Sequence, residues 1–211
     1  MVKNGAEVNA QGGHFGNALQ AASYNGQEAI AKLLIENGAN VNAQGGHYGN
    51  ALQAASYKGQ EAIAKLLIEN GADVNAQGGH YVNALHTALF WGCKAIAQLL
   101  IENGADVNAQ GGHYGNTLQA ASYKGQKAIA KLLIENGADV NAQGGHYGNA
   151  LQAASSDGHG TIAKPLIENG ADVNAQGGYY GNALQAASFW GHEGTAKLLI
   201  DNGATVTVQA E

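Results

Sequence analysis

The sequence predicts an all-α solenoid built from six 33-residue repeats, and three observations carry that expectation. The pair Gly-Gly recurs at 12–13, 45–46, 78–79, 111–112, 144–145 and 177–178, always 33 residues apart and without insertion. Self-similarity at such a period marks a stack of supersecondary units, each touching only its neighbours. Every period also holds two apolar stretches with helical spacing, split by a glycine, of which "ALQAASYKGQEAIAKLLIEN" is one copy. Finally, apolar residues make up 45% of the chain and charged residues 12%, a balance that buries surface rather than staying unfolded.

The elements of one unit follow in order, taking Val41–Asp73. "VNAQGGHYGN" is polar and glycine-rich and reads as a turn or short β-hairpin finger. Asn50 then offers a side-chain oxygen as N-cap for a short helix over "ALQAAS", which Gly59 ends. A second helix follows over "QEAIAKLLIEN", with Ile63, Leu66 and Leu67 on one face. Glu61 and Lys65 stand four apart, in the favourable order for a surface ion pair. Gly71 sits where a left-handed residue terminates the helix. One such unit is too small to close a core, so its Ala and Leu face must be buried against the next unit. Its alanines allow helix axes about 8–10 Å apart.

The frame gives repeats at 8–40, 41–73, 74–106, 107–139, 140–172 and 173–205, with partial repeats at 1–7 and 206–211. Neither end shows a polar capping repeat, so a piece of a longer array is expected. Repeat five carries Pro165 and Gly160 inside its second helix and is expected to be the weak joint.

With these residues in view, the chain resembles the ankyrin repeat family, whose period is 33. "LLIENGADVNAQ" matches the second half of that family's motif, while Asn50-Ala51-Leu52-Gln53 stands where the family writes Thr-Pro-Leu-His. Repeat three reverts in part, with Leu85-His86-Thr87-Ala88. The resemblance covers essentially the whole chain. It implies helix-turn-helix pairs with β-hairpin fingers, a concave groove and finger tips that bind partner proteins, and a monomer. The "GGHYGNALQAAS" style is similar to arrays in large fungal multidomain proteins, some of them immune sensors.

Composition narrows the partner class. Net charge is −6, with ten basic residues, all Lys, so no cationic cluster for nucleic acid is present. Apolar runs are short, such as Leu66-Leu67-Ile68, which excludes a membrane-spanning helix. The start "MVKNGAEVNAQ" lacks a signal-peptide core, and a single Cys93 suits a reducing compartment; a cytoplasmic protein is expected.

Three chemistries suggest themselves, and each has a simpler structural reading. His14, His47, His80, His113 and His146 fall in phase and invite a metal. Neighbouring helix pairs about 10 Å apart would hold these rings too far apart to share an ion. The Gly-Gly turn invites phosphate, but no Lys-Ser/Thr follows it, and positive-φ turn geometry accounts for the glycines. Cys93 and His86 lack a third group to orient them, so no enzyme, no metal and no cofactor are expected.

The copies differ most just before the inter-helix glycine, where the residues are Asn25, Lys58, Trp91, Lys124, Asp157 and Trp190. The neighbouring position reads Tyr24, Tyr57, Phe90, Tyr123, Ser156 and Phe189. In the family this pair of positions borders the groove. The protein-binding candidates are therefore Tyr57, Lys58, Phe90, Trp91, Tyr123, Lys124, Phe189 and Trp190, with His47, His80, His113 and His146 at the finger tips. Asn37, Asn70 and Asn103 are expected in a third groove-lining position. The function expected is a scaffold that docks a partner protein. A passive spring-like spacer and a designed array are the alternatives.

Overall fold

The computed structural model describes residues 7–205. The chain divides into two compact units, residues 1–106 and 107–211. Unit 1 holds three helix pairs: α1 (Ala18–Tyr24) with α2 (Glu28–Glu36), α3 (Ala51–Lys58) with α4 (Glu61–Glu69), and α5 (Ala84–Phe90) with α6 (Lys94–Glu102). In unit 2 the short strands β1 (Gln110–Gly111) and β2 (Gly115–Asn116) precede α7 (Thr117–Tyr123) and α8 (Lys127–Glu135). The pairs α9 (Ala150–Ser156) with α10 (Gly160–Glu168) and α11 (Ala183–Phe189) with α12 (Glu193–Asp201) follow.

Each helix begins and ends for a local reason. Asn50 is extended at the head of α3 and its side chain accepts the Gln53 amide at 2.8 Å. Asn17, Asn83, Asn116, Asn149 and Asn182 do the same for their helices. Gly59 ends α3 in the left-handed conformation at φ 71°. Within unit 1, α1, α3 and α5 stack side by side and α2, α4 and α6 form a second row; in unit 2, α7, α9, α11 and α8, α10, α12 repeat the arrangement. Leu52, Ile63, Leu67, Leu85, Ile96 and Leu100 are fully buried in unit 1, and Leu118, Leu133, Leu151 and Ile162 in unit 2. Each such side chain contributes about 1.5–3 kcal/mol. Alanines at 54, 55, 88, 121 and 154, all at 0% exposure, let the helices approach.

An asparagine bracket closes the far end of every repeat. Asn42 donates to Gly71 O at 2.9 Å and accepts the Asp73 amide at 2.8 Å. Asn9, Asn75, Asn108, Asn141 and Asn174 make the equivalent bonds.

One expectation needs correction. Lys65 reaches forward to Glu69 at 3.9 Å, not back to Glu61, because Glu61 is the first residue of α4 and stands beside its positive end. Lys131–Glu135 and Lys164–Glu168 repeat this exposed pair, worth a few tenths of a kcal/mol at most. Asn37, Asn70 and Asn103 each terminate their own helix, donating to the carbonyl four residues earlier at 2.8 Å. In repeat five α10 runs unbroken across Pro165. The proline withdraws one amide from the ladder, the Thr161 carbonyl lies on an exposed residue, and buried Ile162, Ala163 and Leu166 hold the helix in place.

Repeat three carries the one strained backbone position. Val82, at φ 75°, is the single positive-φ residue other than glycine among the described residues. Gly16, Gly49, Gly115, Gly148 and Gly181 occupy the same place in the other repeats. A β-branched residue there is strained by about 1–3 kcal/mol. Val82→Gly is expected to stabilise the protein by about 1 kcal/mol, net of glycine's greater unfolded-state freedom. An unchanged or lower urea midpoint would contradict this.

Candidate protein-binding site

The fingers are short hairpins whose arms meet through glycine. Gly45 pairs with Gly49 and Gly144 with Gly148 as antiparallel bridges, and β1 pairs with β2 in the register Gln110↔Asn116. Consecutive tips are then joined backbone to backbone. In unit 1 the His47 amide donates to His14 O at 2.9 Å, and the His80 amide to His47 O at 3.3 Å. In unit 2 the His146 amide donates to His113 O at 3.1 Å, and the Tyr179 amide to His146 O at 2.9 Å.

Within each unit, buried glutamines lock the later fingers to the preceding repeat. Gln20 Nε2 donates to Ala43 O and Gly49 O at 3.2 and 3.0 Å. Gln53 Nε2 donates to Gly78 O at 2.7 Å, and Gln119 Nε2 to Gly148 O at 2.8 Å. Gln152 Nε2 reaches Ala175 O at 3.0 Å. The residue written in place of His in the expected motif is thus an inter-repeat clamp: an amide group donates to several carbonyls of the next finger at once.

This tip-to-tip bonding overturns the expectation that the imidazoles stand about 10 Å apart. That distance holds for helix axes, whereas hydrogen-bonded backbones lie about 4.7–4.9 Å apart. The rings stack accordingly. His14–His47 and His47–His80 have centroids 5.1 and 5.6 Å apart, with planes within 16° of parallel. His113–His146 are 5.2 Å apart, and Tyr179 continues that stack at 5.1 Å. Stacked rings present faces to one another, not converging nitrogen lone pairs. Among the described residues no group of three or more His, Cys, Asp or Glu side chains is placed to hold a metal ion.

Beneath the histidines runs an aromatic row that the sequence reading passed over. Phe15, Tyr48 and Tyr81 in unit 1, and Tyr114, Tyr147 and Tyr180 in unit 2, each follow the finger-tip residue. Tyr48 is buried between Tyr24 at 4.8 Å and Tyr57 at 5.0 Å, and Tyr57 continues to Trp91 at 4.6 Å. Tyr81 carries the row to Phe90 at 5.2 Å. In unit 2, Tyr114, Tyr123 and Tyr147 pack with centroids 5.4 and 4.7 Å apart, and Tyr180 meets Phe189 at 5.5 Å. These positions hardly change between repeats, so variation among the copies does not mark them. Their signal was an aromatic residue in all six copies.

The variable position is also explained by the rings. Lys58 Nζ lies 4.7 Å above the Tyr24 ring, and Lys124 Nζ 5.9 Å from the Tyr123 ring. Trp190 Nε1 donates to Tyr180 Oη at 2.9 Å. Lys and Trp share one position because an aromatic face receives a cation or another ring equally well. The outer residues remain accessible: Trp91, Phe189 and Trp190 are 45%, 68% and 54% exposed. Burial first, then the neighbouring phenols, pushes Tyr48 and Tyr147 above the ordinary tyrosine range. Tyr24 moves the other way, through its hydrogen bond with Tyr48 and then through Lys58.

The structure therefore brings Tyr57, Lys58, Phe90 and Trp91 together with His47 and His80 on one side of unit 1, and Tyr123 and Lys124 with His113 and His146 in unit 2. Phe189 and Trp190 join the unit 2 row through Tyr180.

No curated protein sequence matches the chain. Among solved structures it is similar to the human ASB11 ankyrin repeat domain, at a TM-score of 0.80 and 29% identity, covering 91% of this chain and 86% of that one. The family described as Ankyrin repeats (3 copies) matches residues 1–78, 48–111, 79–144 and 118–210. With its all-α helix pairs, hairpin fingers and inter-repeat clamps, the chain belongs to the ankyrin repeat family.

Proposed function

We propose that the protein is a docking scaffold, and that a partner polypeptide lies across the finger tips and the aromatic side of the first helices. Ankyrin repeats are in general protein-interaction modules. One observation carries the reading: each unit presents a row of rings whose inner members are buried and whose outer members, Trp91, Phe189 and Trp190, face solvent. Large apolar rings fixed by their neighbours offer contact area with little rotamer entropy to lose, the usual make-up of an interface hot spot. A spacer has no use for exposed tryptophans fixed in this way. Among the described residues no helix is long and apolar enough to cross a membrane. We take the chain to act as a monomeric, non-catalytic part of a larger intracellular protein, a reading supported by its single thiol, Cys93, and by the likeness of its repeats to fungal multidomain arrays.

Partners captured by the wild-type chain are expected to bind Trp91→Ala more weakly than Lys58→Ala, by about tenfold or more, since a buried aromatic anchor outweighs a solvated cation. Calorimetry with a captured partner reads this difference. Equal losses would refute the assignment, and unaltered capture by a Trp91→Ala/Phe189→Ala/Trp190→Ala variant with unchanged melting would leave the spacer.

A further inference from the structure

The aromatic row has one missing member. In unit 1, Tyr57 is enclosed by Tyr24, Tyr48, Tyr81 and Trp91, at centroid distances of 5.8, 5.0, 5.8 and 4.6 Å. Three repeats later the same frame reads Tyr123, Tyr147, Tyr180 and Trp190, but the enclosed residue is Ser156. Its hydroxyl turns back to donate to Ala153 O in its own helix at 2.9 Å. What remains is a cleft of about 220 Å³ lined by those four aromatic residues with Ser156, Asp157 and His192.

We infer that this cleft receives the phenyl or phenol ring of a Phe or Tyr side chain from a partner polypeptide, which takes the place that Tyr57 fills in unit 1. The inference deepens the docking proposal and rests on it. Two observations choose an aromatic ring over a cation. The chain fills this position itself in every other repeat, with Tyr24, Tyr57, Phe90, Tyr123 and Phe189. The polar groups around the cleft also have partners already. Trp190 Nε1 donates to Tyr180 Oη at 2.9 Å. His192 Nε2 lies 3.3 Å from Ser156 O. His159 Nε2 lies 2.7 Å from Asp157 Oδ2 and 3.0 Å from Tyr123 O, two acceptors that place the proton on that nitrogen. Apart from the second Asp157 carboxylate oxygen, ring faces and edges are what the cleft has left to offer, and an inserted ring meets them in the tilted and edge-on geometries that aromatic pairs favour.

The test needs no partner protein, so its failure and that of the docking proposal are separable. The chain has two tryptophans, and their indole N–H signals report the two sites in one NMR sample. Titrated p-cresol is expected to shift the Trp190 signal saturably and to leave Trp91, whose neighbouring position Tyr57 fills, in place. Ser156→Tyr is expected to weaken the p-cresol response at least tenfold. Equal shifts at both tryptophans would overturn the inference without any variant. So would a tetramethylammonium response at Trp190 as strong as that of p-cresol, or p-cresol binding to a folded Ser156→Tyr protein as it does to wild type.

Discussion

Gly46→Ala is expected to destabilise the protein by about 4 kcal/mol, the sum of left-handed backbone strain and overpacking against a neighbouring main chain. Gly46 stands at φ +64°, and a Cβ there would come within 2.4 Å of Phe15 C and 2.5 Å of Gly16 N. Those atoms are backbone in the preceding finger, so no rotamer change relieves the clash. Relief means parting the two fingers. That breaks the His47-to-His14 amide bond and draws Gly49 O away from Gln20 Nε2. Gly71→Ala is the control, since its φ is +82° but its Cβ meets nothing within 4 Å. It is expected to cost only the strain, about 1–2 kcal/mol. Urea unfolding of both variants checks the difference, and equal costs would show that the fingers are not in close contact. Gly145 and Gly178 make the same approach in unit 2, to Tyr114 C at 2.4 Å and Tyr147 C at 2.3 Å.

This geometry also shows what the sequence could reveal. The 33-residue period, the Asn caps and the Gly stops are local signals. Asn50 and Gly59 do what their chemistry dictates, whatever lies beyond their own helix. The finger spacing is not local. It follows from amide-to-carbonyl bonds between residues 33 apart, such as His47 and His14, and no property of one repeat states that its tip comes within 5 Å of the next. The aromatic row was hidden for a related reason. Tyr48 and Tyr147 matter through contacts made across repeats, and their constancy looked like frame rather than site. At Pro165 a local helix-breaking tendency and the packing of the helix act against each other. Packing of Ile162 and Leu166 at 0% exposure holds α10 in spite of the lost amide bond.

Repeat three is expected to make the protein acid-sensitive through His86, and His86→Gln to remove that sensitivity. The side chain is 7% exposed. Its Nδ1 faces Asn83 Oδ1 at 3.1 Å, which places the proton on Nδ1. Nε2 is buried without a hydrogen-bond partner. Protonating Nε2 would bury a charge and an unsatisfied N–H together, and burial accordingly lowers the His86 pKa to about 4. The unfolded chain titrates near 6.5. Below that pH the unfolded state takes up a proton that the folded state refuses. The stability present at pH 7 is therefore lost as pH falls from about 6.5, and the loss levels off below about 4. Integrated, this amounts to about 2 kcal/mol at pH 5 and about 3 kcal/mol in full. Glutamine is neutral throughout and is the residue at this position in the other five repeats, as Gln20, Gln53, Gln119, Gln152 and Gln185. Every other ionisable group is common to wild type and variant, so the difference between the two isolates His86. Urea midpoints measured from pH 7 to pH 4.5 are expected to diverge steadily, with wild type falling faster. Parallel curves would mean that His86 is charged in the folded protein, and that its environment holds an acceptor for Nε2.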